Sequence, residues 1–179
     1  MQPLQMIQNY KCRINTTDYD YACLMMDVYP ISLITKLQNQ IDKVDLGKDG
    51  LETNQHITVV YGIDSCVGLS RILKFIPTNI GNLKLGEISA FKNNDDDILK
   101  ISIIPSDELL KLRANLVSKL PVTLTYPNFE PHITLAYLKK GTADKYLDKF
   151  KNIDVSKETI TLEKYNYSSG NMNETFIKL

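Results

Sequence analysis

One short string occurs twice in this sequence: H-I-T, followed by an apolar residue and, three positions after the threonine, by a tyrosine. The first copy lies in NQHITVVYG (54–62) and the second in EPHITLAYL (130–138), and together they hold both histidines of the 179-residue chain. Each copy is rich in β-branched and apolar residues, which favour strands. The repeat therefore predicts two equivalent β-strands, one in each half of the chain.

The segments around the two copies follow a similar order. Strands are predicted at 19–29, 56–63, 82–91, 98–104, 132–138, 159–168 and 174–179. Helices are predicted at 33–41 (with Ser32 as the N-cap), 68–76, 107–120 and 142–150. The glycine-containing segment 45–54 is predicted to be a loop. This layout predicts an α+β fold over residues 1–179, one domain of two β-sheet lobes with helices on one face of each, after an irregular lead-in at 1–18.

Alternate side chains of a strand point to the same face. His56 and Thr58 are therefore expected on one face of their strand, and His132 and Thr134 on one face of theirs. By the same strict alternation the repeated tyrosines fall on the opposite faces. If the two lobes face each other, two imidazoles and two hydroxyls line a single cleft.

These four side chains suit the cleavage of a phosphodiester. A base must activate water or a neighbouring hydroxyl, and an acid must protonate the leaving oxygen. Histidine titrates near neutral pH, so a neutral and a charged imidazole can divide the two roles. Threonine hydroxyls can donate hydrogen bonds to the non-bridging oxygens. The set requires no metal ion or other cofactor, because no carboxylate or thiolate recurs with it.

The composition limits the partners that are expected. Basic and acidic residues balance at 21 each, for a formal net charge of +0, and only three residues are arginine. A protein that grips long duplex nucleic acid usually has a basic excess, so a small or short-ended substrate is favoured. The three cysteines are expected to be free thiols in a reducing compartment. No membrane span or secretory signal is evident, so we expect a cytoplasmic protein, or one in the host cytoplasm if the gene is viral. We also expect a monomer.

The two H-I-T strings, with Pro131 before the second, resemble the paired H-x-T-x motifs of the 2H phosphoesterase superfamily. FEPHITLAYL (129–138) is the most specific match, and ISAFKNNDDDILKISII (88–104) resembles the family's hairpin before its long helix. The superfamily includes LigT-like RNA 2',3'-cyclic phosphodiesterases and phage anti-CBASS nucleases. The resemblance implies a bilobal fold with a central cleft, His56 and His132 as the acid/base pair, and Thr58 and Thr134 as phosphate holders. It leaves open which histidine is the acid.

Further candidates for substrate contact are Tyr21, on the first strand, Phe91, in the hairpin, and Tyr137. Lys100 and Ser102 share a strand face and are further candidates for the phosphate. The substrate remains open between an RNA 2',3'-cyclic phosphate, a small cyclic nucleotide and a 3',5'-linked cyclic oligonucleotide of bacterial immune signalling. Two other functions also remain open at this point, a nucleotide-binding module without turnover and an RNA ligase that runs the same chemistry in reverse.

Overall fold

The computed structural model describes residues 21–126, 128–168 and 174–178, so the predicted lead-in at 1–18 lies outside the described residues. The strands, in chain order, are β1 (Tyr21–Val28), β2 (Leu46–Leu51), β3 (His56–Asp64), β4 (Lys84–Lys92), β5 (Asp96–Ile104), β6 (His132–Lys139), β7 (Leu162–Ser168) and β8 (Glu174–Lys178). The helices are α1 (Ser32–Gln38), α2 (Leu69–Ile72), α3 (Asp107–Lys119) and α4 (Ala143–Phe150), with one 3-10 turn at Lys43–Asp45. No helix in these ranges is long and apolar enough to cross a membrane.

The strands form two four-stranded antiparallel sheets. The first sheet has the order β3-β1-β7-β8 and contains the first H-I-T strand; the second has the order β2-β6-β5-β4 and contains the second H-I-T strand. The predicted α+β fold with two β-sheets is therefore confirmed.

Each sheet takes strands from both halves of the chain, which the sequence layout did not predict. Residues 46–51, predicted to be part of a loop, form β2 and pair with β6 at Leu46–Leu138 and Leu51–Ala136. The final hairpin, β7 and β8, joins the first H-I-T strand's sheet through β1. Local propensity missed β2 because its strand conformation depends on pairing with a segment that is distant in the chain.

Two helices pack on the H-I-T strand of the other half. Helix α1, which follows β1, contacts β6, and helix α3, which follows β5, contacts β3. Ser106 is the N-cap of α3 and its Oγ accepts a hydrogen bond from the amide of Leu109 at 3.1 Å. Helix α1 begins at the predicted Ser32, but its N-cap is Ile31. The predicted helix at 68–76 is reduced to the single turn of α2.

The core lies on one face of each sheet. Fully buried side chains there include Leu24, Met26 and Ile57 in the first sheet, and Leu99, Ile101 and Ile133 in the second. Burial of one such side chain contributes about 1.5–3 kcal/mol, so the register of each sheet is strongly specified. The other face of each sheet is left for the polar residues of the two H-I-T motifs.

The prediction of three free thiols is wrong for Cys66, which is disulfide-bonded. Cys23 is a free thiol on β1, and burial raises its pKa to about 12. A thiol with this pKa is protonated at neutral pH and is a poor nucleophile. Cys23 is therefore not a candidate for nucleophilic catalysis.

Candidate functional site

The two histidines occupy the same position and make the same hydrogen bond. His56 is the first residue of β3 and His132 the first residue of β6. The Nδ1 of His56 lies 2.8 Å from the carbonyl oxygen of Asn54, and the Nδ1 of His132 lies 2.7 Å from that of Glu130. Because a carbonyl oxygen can only accept, Nδ1 carries the proton in both rings. The Nε2 atom of each ring is left to take or release a proton.

The fold brings the two motifs together. Strands β3 and β6 contact each other although they belong to different sheets, and the two imidazoles are close enough for the charge of His56 to act on His132. Thr58 is half-buried, whereas Thr134 is buried at 7% exposure. The predicted grouping of the four side chains thus has a geometric basis in the two neighbouring strands.

Strand β3 contains an extra residue, Val59, directly after Thr58, and a second one, Gly62, directly after Tyr61. The partners across the β1–β3 ladder are Asp27–His56, Met25–Thr58, Cys23–Tyr61 and Tyr21–Asp64. The four β1 residues alternate along their strand and so share a face. A bulge changes the alternation after it, and Tyr61 therefore lies on the same face as His56 and Thr58.

Strand β6 contains one extra residue, Leu135, which directly follows Thr134 as Val59 follows Thr58 in β3. The partners across the β5–β6 ladder are Ser102–His132, Lys100–Thr134 and Ile98–Tyr137. Because the three β5 residues share a face, so do their partners. Tyr137 also makes a side-chain hydrogen bond with Thr134. The prediction that both tyrosines face away from the histidines is therefore wrong, since strict alternation does not survive a bulge.

The remaining predicted contact residues lie on these same two faces. Tyr21 is 44% exposed and Tyr61 is 51% exposed, on neighbouring strands of the first sheet. Phe91 contacts His132 edge to face, with ring centroids 5.1 Å apart. The histidine face of each sheet thus has aromatic side chains, Tyr21 and Tyr61 in the first sheet and Phe91 and Tyr137 in the second, which are suited to stacking on nucleobases.

A buried lysine lies beside His132. Lys100 is 5% exposed and its Nζ lies 3.9 Å from the centroid of the Phe91 ring. Its ion pair with Glu130 is loose, at 3.7 Å. Lys100 is also the cross-strand partner of Thr134. A positive charge is therefore held at the base of the second motif.

A buried carboxylate lies beside His56. Asp27 is 2% exposed and is the cross-strand partner of His56. Burial raises the pKa of Asp27, while the charges of Lys164 (3.7 Å away) and His56 and a hydrogen bond to the Asn54 side chain act in the opposite direction. Among the described residues its Oδ1 has no hydrogen-bond partner. The first motif thus has a negative neighbour where the second has a positive one.

The pKa of His132 lies below the ordinary histidine value. Burial is the main cause, and the positive charges of Lys100 and His56 lower this pKa further. The hydrogen bond to the Glu130 carbonyl and the charge of the Glu130 side chain act in the opposite direction but do not compensate. His132 is therefore neutral at neutral pH, with an unprotonated Nε2.

Ser102, predicted beside Lys100, is used elsewhere. Its Oγ accepts a hydrogen bond from the amide of Glu87 at 2.8 Å and donates one to the Glu87 carbonyl at 3.3 Å, at an irregularity of β4.

The sequence did not single out Asp27, Asn54 or Glu130. The last two are found only by noticing that each lies two residues before a histidine.

In the ranges that the structure describes, no group of three or more His, Cys, Asp or Glu side chains could hold a metal ion. The chemistry available at the site is that of two imidazoles, two hydroxyls, one ammonium group and one carboxylate. That set can exchange protons at two points and stabilise a negatively charged group between them.

One family profile matches the sequence, and solved structures share the fold. The sequence profile of the 2'-5' RNA ligase superfamily matches residues 56–166, a span that contains both motifs. A structure of Kluyveromyces marxianus Usb1 is similar over 89% of this chain and 98% of that chain, with a TM-score of 0.59 and 10% identity. A structure of Kluyveromyces marxianus Usb1 with uridine monophosphate is similar over 91% of this chain and 100% of that chain, with a TM-score of 0.56 and 9% identity. No curated protein matches the sequence.

Proposed function

The chain belongs to the 2'-5' RNA ligase superfamily, the 2H phosphoesterases, and from that premise we propose that it hydrolyses a nucleotide phosphodiester without a metal ion, with its two histidines as acid and base. The coarse activity, that of a phosphodiesterase, follows from family membership. The observation that carries the residue assignment is the matched pair of Nδ1 hydrogen bonds, to Asn54 at 2.8 Å and to Glu130 at 2.7 Å. Both rings offer Nε2 for the reaction, and each ring is held by its backbone partner.

The charges beside the two rings support a division of roles. Lys100 lies beside His132 and disfavours its protonated form, whereas the buried neighbour of His56 is the carboxylate of Asp27. His132 is accordingly the general base and His56 the general acid. The assignment rests on the lowered pKa of His132, which suits a general base, and on the opposite charges of Lys100 and Asp27 beside the two rings.

The proposed step is a direct displacement at phosphorus. The Nε2 of His132 takes a proton from water as its oxygen attacks the phosphorus atom. The bond from phosphorus to the leaving ribose oxygen breaks, and that oxygen receives the proton from Nε2 of His56. The products are a phosphomonoester and a free hydroxyl, and the two rings return to their starting protonation through solvent. Each proton transfer contributes about 10²–10⁴ in rate.

We assign three side chains to holding the phosphate charge during this step. The hydroxyls of Thr58 and Thr134 lie on the histidine faces of their strands, and Lys100 is the cross-strand partner of Thr134. A buried ammonium group acts more strongly than an exposed one, because water screens it less. We assign Lys100 to the stabilisation of charge on the non-bridging oxygens.

The substrate that we propose is an RNA end or small nucleotide that carries a 2',3'-cyclic phosphate. The balanced net charge disfavours long duplex substrates, and the aromatic residues on both motif strands suit bases on either side of one phosphate. Usb1, which shares the fold, has been seen with uridine monophosphate. A 3',5'-linked cyclic oligonucleotide also presents bases on both sides of a phosphate, and it is the competing substrate.

The test is a substrate panel with EDTA present, read by mass spectrometry. It contains RNA ending in a 2',3'-cyclic phosphate, 2',3'-cyclic uridine monophosphate, and 3',5'-linked cyclic di- and trinucleotides. We expect hydrolysis of the 2',3'-cyclic phosphates and a loss of about 10²–10⁴ in rate in His56→Ala and in His132→Ala. Turnover of the cyclic oligonucleotides alone would favour an anti-CBASS activity over this proposal.

Two further results separate the other functions. Binding of the nucleotides by the wild-type protein, without turnover of any, would indicate a binding module. Joining of a 2',3'-cyclic phosphate RNA to an RNA with a 5'-hydroxyl would indicate a ligase.

Activity that disappears in EDTA and returns with a divalent ion would overturn the metal-independent mechanism.

A further inference from the structure

The bulges at Val59 and Leu135, which directly follow the threonines of the two H-I-T motifs, accept hydrogen bonds from side chains of α3 and α1. A bulge leaves its extra residue without a regular ladder partner, so the carbonyl groups of Val59 and Leu135 need other donors. Arg113 of α3 donates to the Val59 carbonyl, and Gln38 of α1 donates to the Leu135 carbonyl together with the backbone amide of Glu52. Each helix follows a strand of one sheet and holds the bulge in the other.

Arg113 connects the first bulge to the approach to the second histidine. Its Nη1 donates to the carbonyl of Val59 at 2.8 Å. Its guanidinium carbon lies 4.5 Å from the centroid of the Phe129 ring. Phe129 directly precedes Glu130, whose carbonyl accepts the Nδ1 hydrogen bond of His132. One side chain therefore contacts both halves of the site.

Gln38 makes the reciprocal connection. Its Nε2 donates to the carbonyl of Leu135 at 2.9 Å and to the carbonyl of Glu52 at 2.7 Å. The amide of Glu52 donates to the same Leu135 carbonyl at 3.1 Å. Glu52 lies two residues before Asn54, whose carbonyl accepts the Nδ1 hydrogen bond of His56. The second bulge is thus tied to the approach to the first histidine.

We propose that Arg113 and Gln38 are positioning residues that fix each H-I-T motif relative to the other by joining the bulge of one strand to the segment before the histidine of the other. This inference rests on the proposed function for its kinetic consequence. The structural part, that these side chains maintain the two bulges, stands without it. Neither residue is adjacent in sequence to either motif.

The variants remove one donor at a time and have close controls. Gln38→Leu and Arg113→Met keep most of the side-chain volume but lose the hydrogen bonds to the bulges. Gln40→Leu removes a glutamine whose side chain donates to the Lys36 carbonyl of α1 at 3.2 Å. Arg71→Met removes an exposed arginine of α2. The controls share the chemistry of the change but do not touch a bulge.

The first readout is strand register by NMR, which needs no substrate. In the wild-type protein we expect cross-strand contacts between Cys23 and Tyr61 and between Ile98 and Tyr137, as the pairing shows. Loss of the first bulge would move the Tyr61 contact to Ala22, and loss of the second would move the Tyr137 contact to Asp97. We expect Arg113→Met to weaken the first wild-type contact and Gln38→Leu the second. Wild-type contacts in both folded variants would overturn the proposal.

The second readout is the division of kinetic effects. Misplacement of a reacting group by about 1 Å can cost about 10²-fold in rate, so we expect kcat to fall 10–100-fold in each variant while KM changes less than threefold. Guanidinium ion should restore part of kcat in Arg113→Ala but not in His132→Ala. Equal loss in the two control variants, or a fall in stability with kcat unchanged in the folded fraction, would overturn the positioning role.

The two readouts separate the failure of this inference from that of the proposed function. If the wild-type protein turns over none of the substrates, the register experiment still decides whether Arg113 and Gln38 hold the bulges. If turnover is found and register is unchanged in both variants, the proposed function stands and the positioning role is rejected.

Discussion

Replacement of Lys100 by methionine tests the electrostatic basis of the assigned roles. The Nζ of Lys100 lies 3.9 Å from the Phe91 centroid, which lies 5.1 Å from the His132 centroid. The ammonium group is therefore no farther than about 9 Å from the imidazole. At that limit, two unit charges interact by about 0.5 kcal/mol in water and about 1.8 kcal/mol at an effective dielectric constant near 20, which corresponds to about 0.3–1.4 pH units.

The direction in which the pKa of His132 changes follows from the charge that is removed. Lys100 disfavours the protonated imidazole, so its loss in Lys100→Met stabilises that form and raises the pKa of His132. His56 and Glu130, the other charged groups that act on this ring, are unchanged. If His132 is the general base, the acid limb of the kcat/KM profile moves to higher pH by the same amount.

The assay is a proton NMR titration of the imidazoles, which is simple because the chain has only two histidines. His56→Ala assigns the two curves. Lys100→Arg retains the charge and should leave the His132 curve close to its wild-type position. Lys92→Met removes a lysine of the same hairpin that pairs with Asp144 on the surface, and it should have no effect. An unchanged or lowered pKa of His132 in Lys100→Met would refute the electrostatic argument.

Three other changes have expected outcomes. Burial raises the pKa of Asp27, so the folded chain holds this proton more tightly than the unfolded chain does. The ionised carboxylate therefore costs stability above the folded-state pKa, but not below the unfolded-state pKa, where the group is protonated in both states. Asp27→Asn should raise Tm near pH 8 and not near pH 3, and it should lower kcat because the negative charge beside His56 is lost. Tyr61→Ala should raise KM for a dinucleotide substrate by the equivalent of about 1–3 kcal/mol of stacking, and Tyr61→Phe should not. Gly62 has φ +93° and an added Cβ would lie 2.0 Å from the Thr123 carbonyl oxygen, so Gly62→Ala should lower the free energy of unfolding by about 2–4 kcal/mol in urea titration.

The parts of the fold with a strong local signal could be predicted from the sequence. The H-I-T segments form strands because β-branched and apolar residues dominate them, and α3 forms where Ser106 caps a run of helix-forming residues. Residues 46–51 carry LGKDGL, which has two glycines and no alternation, and their strand conformation exists only beside β6. No local pattern could have indicated that partner.

The faces of the two tyrosines could not be predicted because the cause lies outside the motif. Strict alternation puts Tyr61 and Tyr137 with the core residues, and the extra residues Val59 and Leu135 reverse that assignment. The side chains that hold the extra residues come from α1 and α3, 18 or more positions away from either motif. The repeat of the tyrosine in both copies was the only sequence signal that it belonged with the histidine and threonine.

The exchange of elements between the halves explains how two separate sheets can hold one site. Strand β2 comes before the first histidine but pairs beside the second, and the final hairpin comes after the second histidine but lies in the sheet of the first. Helices α1 and α3 are exchanged in the same way, because each follows a strand of one sheet and packs on the H-I-T strand of the other. A relative movement of the sheets would therefore have to break strand pairing, helix packing and the Gln38 and Arg113 hydrogen bonds together. Because packed interfaces resist such small deformations, the spacing of the two imidazoles depends on the exchanged elements as much as on the strands that carry them.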